Sequence, residues 1–330
     1  MDILINLSLL AAGLVILIFG GDFLVRGATS IAYSFQLSPL VVGLTVVAFG
    51  TSAPELVVNI SAAMYGKDSL ALGNIVGSNI CNLALVLGIT ALIYPIKVDE
   101  KSIKIDWVLT MGSALLLQFF VAKDYTLSRF EGIILFFILI IYTYFLIQMS
   151  RRETKEKLLE QGLDPDTVTD VKGMQLVKEI GFFLLGCAML YVGAEFLFIK
   201  GATGIALGLF GEGDKSDRII GLTIVAIGTS LPELVASGMA AYKKDTDMAM
   251  GNLLGSCIFN ILSILGITST ISSITDRDQS IVNGDMWWMM GVILVVLPIM
   301  ATRRRIARFE GFILLSIYIT YITYVIINAL

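Results

Sequence analysis

Residues 43–57 read GLTVVAFGTSAPELV and residues 221–235 read GLTIVAIGTSLPELV, identical at 12 of 15 positions with an offset of 178. At the same offset GNIVGSNICN (73–82) returns as GNLLGSCIFN (251–260). RFEG stands at 129–132 and again at 308–311, and Gly27-Ala28-Thr29 matches Gly201-Ala202-Thr203. Self-similarity this extended means that one structural unit is used twice in the 330 residues.

The residues around these motifs belong in lipid. The chain is 56% apolar and only 15% charged, against about 25% charged in soluble proteins, and its mean hydropathy is +0.86. A bilayer offers no partner to open backbone, so the spans must be helices of about 20 residues. Ten are predicted, near 3–35, 39–65, 69–94, 105–121, 128–149, 174–209, 218–242, 246–270, 285–301 and 306–328. The first and sixth are long enough to require tilt or bending. The first, opening MDILINLSLLAAG without a basic n-region, is expected to be a retained span and not a cleaved signal.

Each motif recurs five spans later, an odd number, so the second unit enters the membrane upside down. The sequence thus predicts an all-α membrane protein of about ten transmembrane helices in two inverted five-helix repeats. Residues 1–149 form the first half, 150–172 a hydrophilic linker beginning SRRETKEKLLEQGLDPD, open to partial helix but too short for a folded domain, and 173–330 the second half. Inverted repeats are an architecture of secondary transporters, which bind substrate near the midplane at the repeat interface.

An external N-terminus would put 15 of the 23 basic residues on inner loops, including Lys97, Lys101, Arg151, Arg152, Arg303, Arg304 and Arg305. Six would lie outside: Lys67, Lys123, Arg129, Lys215, Arg218 and Arg277. The positive-inside rule then predicts a multi-pass cell-membrane protein with both termini extracellular and the linker cytoplasmic. With a net charge of −4, no basic face for nucleic acid can be assembled. The chain has no His, which excludes imidazole bases, Ser-His-Asp and Cys-His nucleophiles, and His-ligated zinc or haem. Cys81, Cys187 and Cys257 lie in apolar surroundings with no C-x-x-C spacing. The expected partner is the lipid bilayer, with no cofactor and no soluble protein partner indicated.

Against this apolar background the polar residues are informative. Glu55 falls about mid-span, where a charge is expensive and points to function. Thr51 and Ser52 precede it by four and three residues, so their oxygens can share its helix face. Pro54 withholds a backbone hydrogen bond and is expected to kink the helix, freeing carbonyls. Thr229, Ser230, Pro232 and Glu233 repeat the arrangement. The third span adds Asn74, Ser78 and Asn82 at i, i+4 and i+8, and the eighth adds Asn252, Ser256 and Asn260. Gly73 and Gly77, with Gly251 and Gly255, form small-residue stripes that let helices approach. Asn74 and Asn252 read equally well as ligands or as residues that orient the ligand helices. Facing each other, the two halves would make an oxygen-only cage suited to hard cations such as Ca²⁺ and Na⁺.

Three other features carry weaker expectations. Asp22 and Arg26 are spaced for a local i,i+4 ion pair. Glu195 and Lys200, in the matching region of the sixth span, are read first as structural, with a gate or ion-path role as the sharper alternative. Gly211-Glu212-Gly213-Asp214 matches the G-x-G-D string of intramembrane aspartyl proteases, but its hydrophilic context reads as a loop.

G-T-S-x-P-E followed by G-N-x-x-G-S-x-x-x-N, doubled in inverted halves, resembles the alpha repeats of the sodium/calcium exchanger family, most of all its compact prokaryotic members. The resemblance implies a secondary active antiporter, not an enzyme, exchanging Na⁺ for Ca²⁺ by alternating access. It implies that Glu55 and Glu233 are the central Ca²⁺ ligands, shared with Na⁺, and that Thr51 and Thr229 contribute carbonyls. Ser52, Ser230, Ser78, Ser256 and the carbonyls of Ala48 and Ala226 would form flanking Na⁺ sites. Asn82 and Asn260 would complete a diamond-shaped cluster. Some archaeal relatives and the potassium-dependent branch carry Asp where this chain has Asn260, which argues against potassium dependence and favours water at the middle site. A Ca²⁺/H⁺ exchanger and a Mn²⁺ or Mg²⁺ exchanger remain alternatives. An intramembrane hydrolase is opposed by the lack of His and of a paired mid-membrane Asp.

Overall fold

The computed structural model describes residues 2–66, 68–160, 173–201, 204, 226–276 and 279–329. The first half opens with α1 (Asp2–Ser34). The Ser38 hydroxyl then accepts from the Val41 N–H at 3.3 Å and caps α2 (Pro39–Val42). Pro39 suits the first helical turn, where an N–H has no helical acceptor. A π-helical turn, Gly43–Val47, leads into α3 (Ala48–Met64). The third span joins α4 (Asp68–Ile80) through a π segment, Cys81–Val86, to α5 (Leu87–Ile93). Another π segment, Ser102–Asp106, starts α6 (Trp107–Val121), and α7 (Arg129–Glu160) follows.

The second half repeats this plan. Helix α8 (Gly173–Tyr191) continues as a π-helix, Val192–Ile199. Then come α9 (Ala226–Thr229), α10 (Leu231–Tyr242) and α11 (Thr246–Phe259). The π segment Asn260–Leu265 leads to α12 (Gly266–Ile271), and the π segment Ile281–Asp285 to α13 (Met286–Ala301). Helix α14 (Arg308–Ala329) ends the chain. Among the described residues eight helices are long and apolar enough to cross a membrane, and a ninth span forms from Pro39–Ala53 and Glu55–Met64, bent by 50°. The expected seventh span falls only partly on described residues.

Three boundaries differ from those of the expected spans. Helix α7 runs to Glu160, past the predicted end of its span at 149, because RRETKEKLLE is composed largely of strong helix formers and gains an Arg152–Glu156 pair at 3.0 Å. The fourth and ninth spans begin earlier, at Ser102 and Ile281. Their first turns hold Asp106 and Asp285, each neutralising its polarity against a tyrosine of the last helix in its own half: Tyr142 donates to Asp106 at 2.9 Å and Tyr321 to Asp285 at 3.2 Å.

The halves interlock by exchange. Strand β1 (Ile96–Lys97) pairs with β4 (Arg305–Ile306), and β2 (Thr126–Leu127) with β3 (Ile274–Thr275), both antiparallel. Each pair takes one strand from each half. The helix crossings obey the same exchange: a Cβ on Gly88 would lie 2.9 Å from the Gly311 carbonyl, and one on Gly132 2.7 Å from that of Gly266. One end of the bundle is tied by the Ser38 N–H donating to Ser150 at 2.8 Å, by Lys101 with Glu153, and by Arg304 with Glu100 at 2.9 Å. The Lys104 hydrogen bond, reinforced by Arg304, holds the Glu100 carboxyl below the usual carboxylate range.

Two apolar cores result. The larger includes residues of α4 to α7 and α11 to α14; the smaller joins Leu17, Leu24 and Val25 of α1 to Phe183 and Leu190 of α8, and both to Leu231 and Ala236 of α10. Helices α1 and the α8 run cross backbone to backbone. A Cβ on Gly13 would lie 3.0 Å from the Gly193 carbonyl, on Gly20 3.2 Å from that of Gly186, and on Gly27 2.7 Å from that of Glu179. Glycines seven residues apart keep one face of α1 free of side chains, which permits this approach.

Candidate functional site

The two G-T-S-x-P-E motifs lie at the breaks in α3 and α9–α10. In the first half the helix axis bends by 50° at residue 54. In the second, α9 stops at Thr229, Ser230 takes φ −90° and ψ 5°, and α10 restarts with Pro232 and Glu233 in its first turn. A proline in each motif thus redirects the helix, as the sequence predicts. Glu233 also gains from its place at a helix N-terminus, where the exposed N–H groups favour an anion. Glu55 and Glu233 are both buried, at 2% and 1% exposure.

Hydrogen bonds join the halves around these acids. The Ser52 hydroxyl donates to Glu233 Oε1 at 3.0 Å, linking one motif directly to the other's carboxylate. Thr51 donates to Asn252 Oδ1 at 3.3 Å, and Asn252 Nδ2 donates to Ser237 at 2.8 Å, tying α3, α11 and α10 together. Asn252 therefore makes helix-orienting contacts, one of the two roles its sequence position allowed. Asn260 Nδ2 donates to Asn79 Oδ1 at 3.0 Å.

Thr51, Thr229, Ser230, Ser78, Asn82, Ser256, Asn260 and Ala48 are buried as well. Ala48 lies against α11, its Cβ 2.9 Å from where a Gly255 Cβ would stand. Ala226 begins α9, and its side chain lies outside the described atoms. Asn74 is only partly buried. Among the described residues Glu233 Oε2, Ser230 Oγ, Ser256 Oγ, Asn82 Oδ1 and Asn260 Oδ1 are buried without a hydrogen-bond partner. Buried polar atoms of this kind are rare and call for an explanation. Oxygens of carboxylate, hydroxyl and amide type are a donor set for hard cations. Among the described residues no group of three or more acids or cysteines forms a metal cluster, so a cation here would rely on two carboxylates and neutral oxygens.

Several contributors escape the sequence reading. Asn59 Nδ2 donates to the Glu55 carbonyl at 2.8 Å, and Ser237 holds Asn252; these residues share one repeat position, a turn after each acid. That shared polar position was the available signal. Asn79 stands where the second copy has Cys257, so the repeat gave no cue. The π segments opening at Cys81 and Asn260 were equally hidden, although such bulges frequent functional sites.

The Asp22–Arg26 pair is not formed. Asp22 pairs with Lys243 at 2.6 Å, and Arg26 lies 3.7 Å from Glu179 with its guanidinium 4.5 Å from the centre of the Phe182 ring. Partners on neighbouring helices win over the local one. The glycine stripe behaves as expected in the second copy, where a Cβ on Gly255 would lie 2.7 Å from the Leu44 carbonyl; one on Gly77 meets nothing within 4 Å among the described residues. Lys200 is exposed, whereas the Glu195 side chain and residues 211–214 lie outside the described residues.

Inverted halves meeting at buried, opposed carboxylate motifs define a membrane carrier. Comparison with known proteins makes this specific: the sodium/calcium exchanger protein family matches residues 5–148 and 178–327, and the chain belongs to that family. It is 39% identical over 317 residues to the putative antiporter CaxA of Alkalimonas amylolytica, covering 94% of this chain and 95% of that one. It is 32% identical to the sodium/calcium exchanger MaX1 of Methanosarcina acetivorans, over 97% and 98% of the two chains. The solved structure of the sodium-calcium exchanger NCX_Mj soaked with 10 mM Na⁺ and zero Ca²⁺ superposes with a TM-score of 0.81 at 30% identity, covering 97% of this chain and 99% of that one. The family read from the doubled motif is the family found.

Proposed function

We propose that this protein exchanges Na⁺ for Ca²⁺ across the cell membrane by alternating access, at a midplane cluster centred on Glu55 and Glu233. The observation that carries the reading is the Ser52–Glu233 hydrogen bond, which joins the two inverted motifs at one buried point. MaX1 and NCX_Mj, similar over nearly the whole chain, are both sodium/calcium exchangers by name. Thr51 and Thr229 supply backbone carbonyls to Ca²⁺. Ser52, Ser78, Ser230 and Ser256, with the Ala48 and Ala226 carbonyls, serve Na⁺, and Asn82 and Asn260 complete the cluster.

Exchange follows from a fixed charge. Two carboxylates are neutralised by one Ca²⁺ or by Na⁺ ions, whereas an unloaded site carries unpaired charge near the membrane centre, where it is costly. The empty carrier therefore resists the inward–outward transition, and coupled exchange is favoured over leak. The glycine-faced α1–α8 pair is the element whose sliding against the motif-bearing helices alternates access. The termini face outward and the linker inward.

The test is Ca²⁺ uptake into proteoliposomes under opposed Na⁺, H⁺ and K⁺ gradients. Uptake driven by a Na⁺ gradient without K⁺ is expected. Proton-driven, Na⁺-independent uptake would replace this reading with Ca²⁺/H⁺ exchange, and an absolute K⁺ requirement would refute potassium independence.

A further inference from the structure

We infer that Asn79, which belongs to none of the repeated motif positions assigned to ions, is a positioning residue that locks the side-chain amide of Asn260 with its oxygen turned toward the ion cluster. The inference deepens the proposed function and rests on it. An amide side chain can be turned either way, placing oxygen or nitrogen at a given point, and only the latter's N–H groups can donate. What decides the orientation is an acceptor that cannot itself turn. Here it is the backbone carbonyl of Cys257, which receives Asn79 Nδ2 at 3.3 Å, with Met289 Sδ also 3.6 Å from that nitrogen. Two acceptors on one side require the Asn79 nitrogen there and turn its Oδ1 toward Asn260. Asn260 must then present Nδ2, which donates at 3.0 Å.

The consequence falls on the other end of the Asn260 amide. Its Oδ1 is buried and without a hydrogen-bond partner among the described residues. A reversed Asn260 would place two N–H groups where the cluster needs an oxygen, and would set its own oxygen against that of Asn79. The relay runs from a backbone carbonyl through two amides to a ligand atom. Asn79 is fully buried, so no water competes with it. The relay exists in one half only: at the equivalent position of the second copy stands Cys257, whose thiol lies 3.9 Å from the Asn79 carbonyl. Asn82 therefore has no amide clamp from that position, and the two halves of the cluster are held unequally.

A carboxylate has two equivalent oxygens and no wrong orientation, which gives the test its control. Asn79→Ala and the bulkier Asn79→Leu are compared with the parent, each in the wild-type and the Asn260→Asp background. Ca²⁺ binding to detergent-purified full-length protein is measured by calorimetry, and Na⁺-driven Ca²⁺ uptake in proteoliposomes. The Cys257 carbonyl keeps its bond from the Asn260 backbone N–H, so neither variant orphans it, and a monodisperse elution profile confirms folding. With Asn260 present, both Asn79 variants are expected to weaken Ca²⁺ binding by roughly twofold to tenfold, the worth of one hydrogen bond. In the Asn260→Asp background either orientation sets a carboxylate oxygen against Asn79 Oδ1, so the same changes should leave that background's affinity unchanged or raise it. An equal loss in both backgrounds would make Asn79 a general packing residue and overturn the inference. So would unchanged binding in both Asn79 variants while Glu233→Gln abolishes it. Unchanged binding in Glu233→Gln would instead overturn the site itself, and the inference with it.

Discussion

Asp22 and Arg26 stand four residues apart on α1, yet each bonds to another helix or its adjoining turn, because interhelical contacts in a tightly packed bundle offer better geometry than a local pair. The Asp22–Lys243 bridge, at 46% and 33% side-chain exposure for Lys243-paired Asp22 and Lys243 respectively, is a partly screened contact. Such pairs contribute about 0–1 kcal/mol. Asp22→Asn should therefore lower the melting temperature by no more than a few degrees and leave substantial Na⁺-driven Ca²⁺ uptake; thermal unfolding and flux per unit protein check both. Abolished flux in a folded Asp22→Asn variant would assign Asp22 to the ion path. The acids were legible in the sequence since a carboxylate in an apolar run has few structural explanations. Asn79 was not, because an amide also serves simply to join helices and its counterpart in the second copy is Cys257.

At the scale of elements, hydropathy locates most spans, and the structure adds the internal breaks that no proline marks. The proline bends were anticipated from the motif; the π segments at Cys81–Val86 and Asn260–Leu265 have no sequence cue of comparable strength. Hydropathy marks where the apolar stretch of α7 ends and not where its helix ends, since a charged helix extending beyond that stretch has no hydropathy signal. The glycine-faced crossing of α1 and α8 can be probed by single methyl groups. A Cβ on Gly186 would lie 2.5 Å from the Leu24 nitrogen and 2.8 Å from the Gly20 carbonyl, both backbone atoms, whereas one on Gly181 of the same helix meets nothing within 4 Å among the described residues. Gly186→Ala should destabilise by about 1–3 kcal/mol through forced separation of the helices. Gly181→Ala should be neutral or stabilising by up to about 1 kcal/mol. Melting curves of the two purified variants compare them directly, and equal stability would refute the close crossing.

For the whole molecule, the repeat and the odd span count sufficed to predict inversion, and the exchanged strand pairs and mirrored glycine crossings are its structural expression. Sidedness rests on charge alone. Single cysteines at exposed Glu160 and Lys123, in a background lacking Cys81, Cys187 and Cys257, should divide cleanly: an impermeant thiol reagent applied to intact cells should label Lys123→Cys and spare Glu160→Cys. The opposite pattern would invert the protein in the membrane without changing its architecture. Beneath all of this lies the claim that two inverted motifs make one ion site. Its most direct test is Na⁺-dependent uptake of radiolabelled Ca²⁺ by reconstituted Glu55→Gln, Glu233→Gln and the double variant, since glutamine keeps size and a carbonyl oxygen but removes the charge on which Ca²⁺ binding depends. Each single change should nearly abolish uptake, and the double variant should lose little more, because effects at a shared site are not additive. Near-normal uptake in either folded single variant would contradict the account.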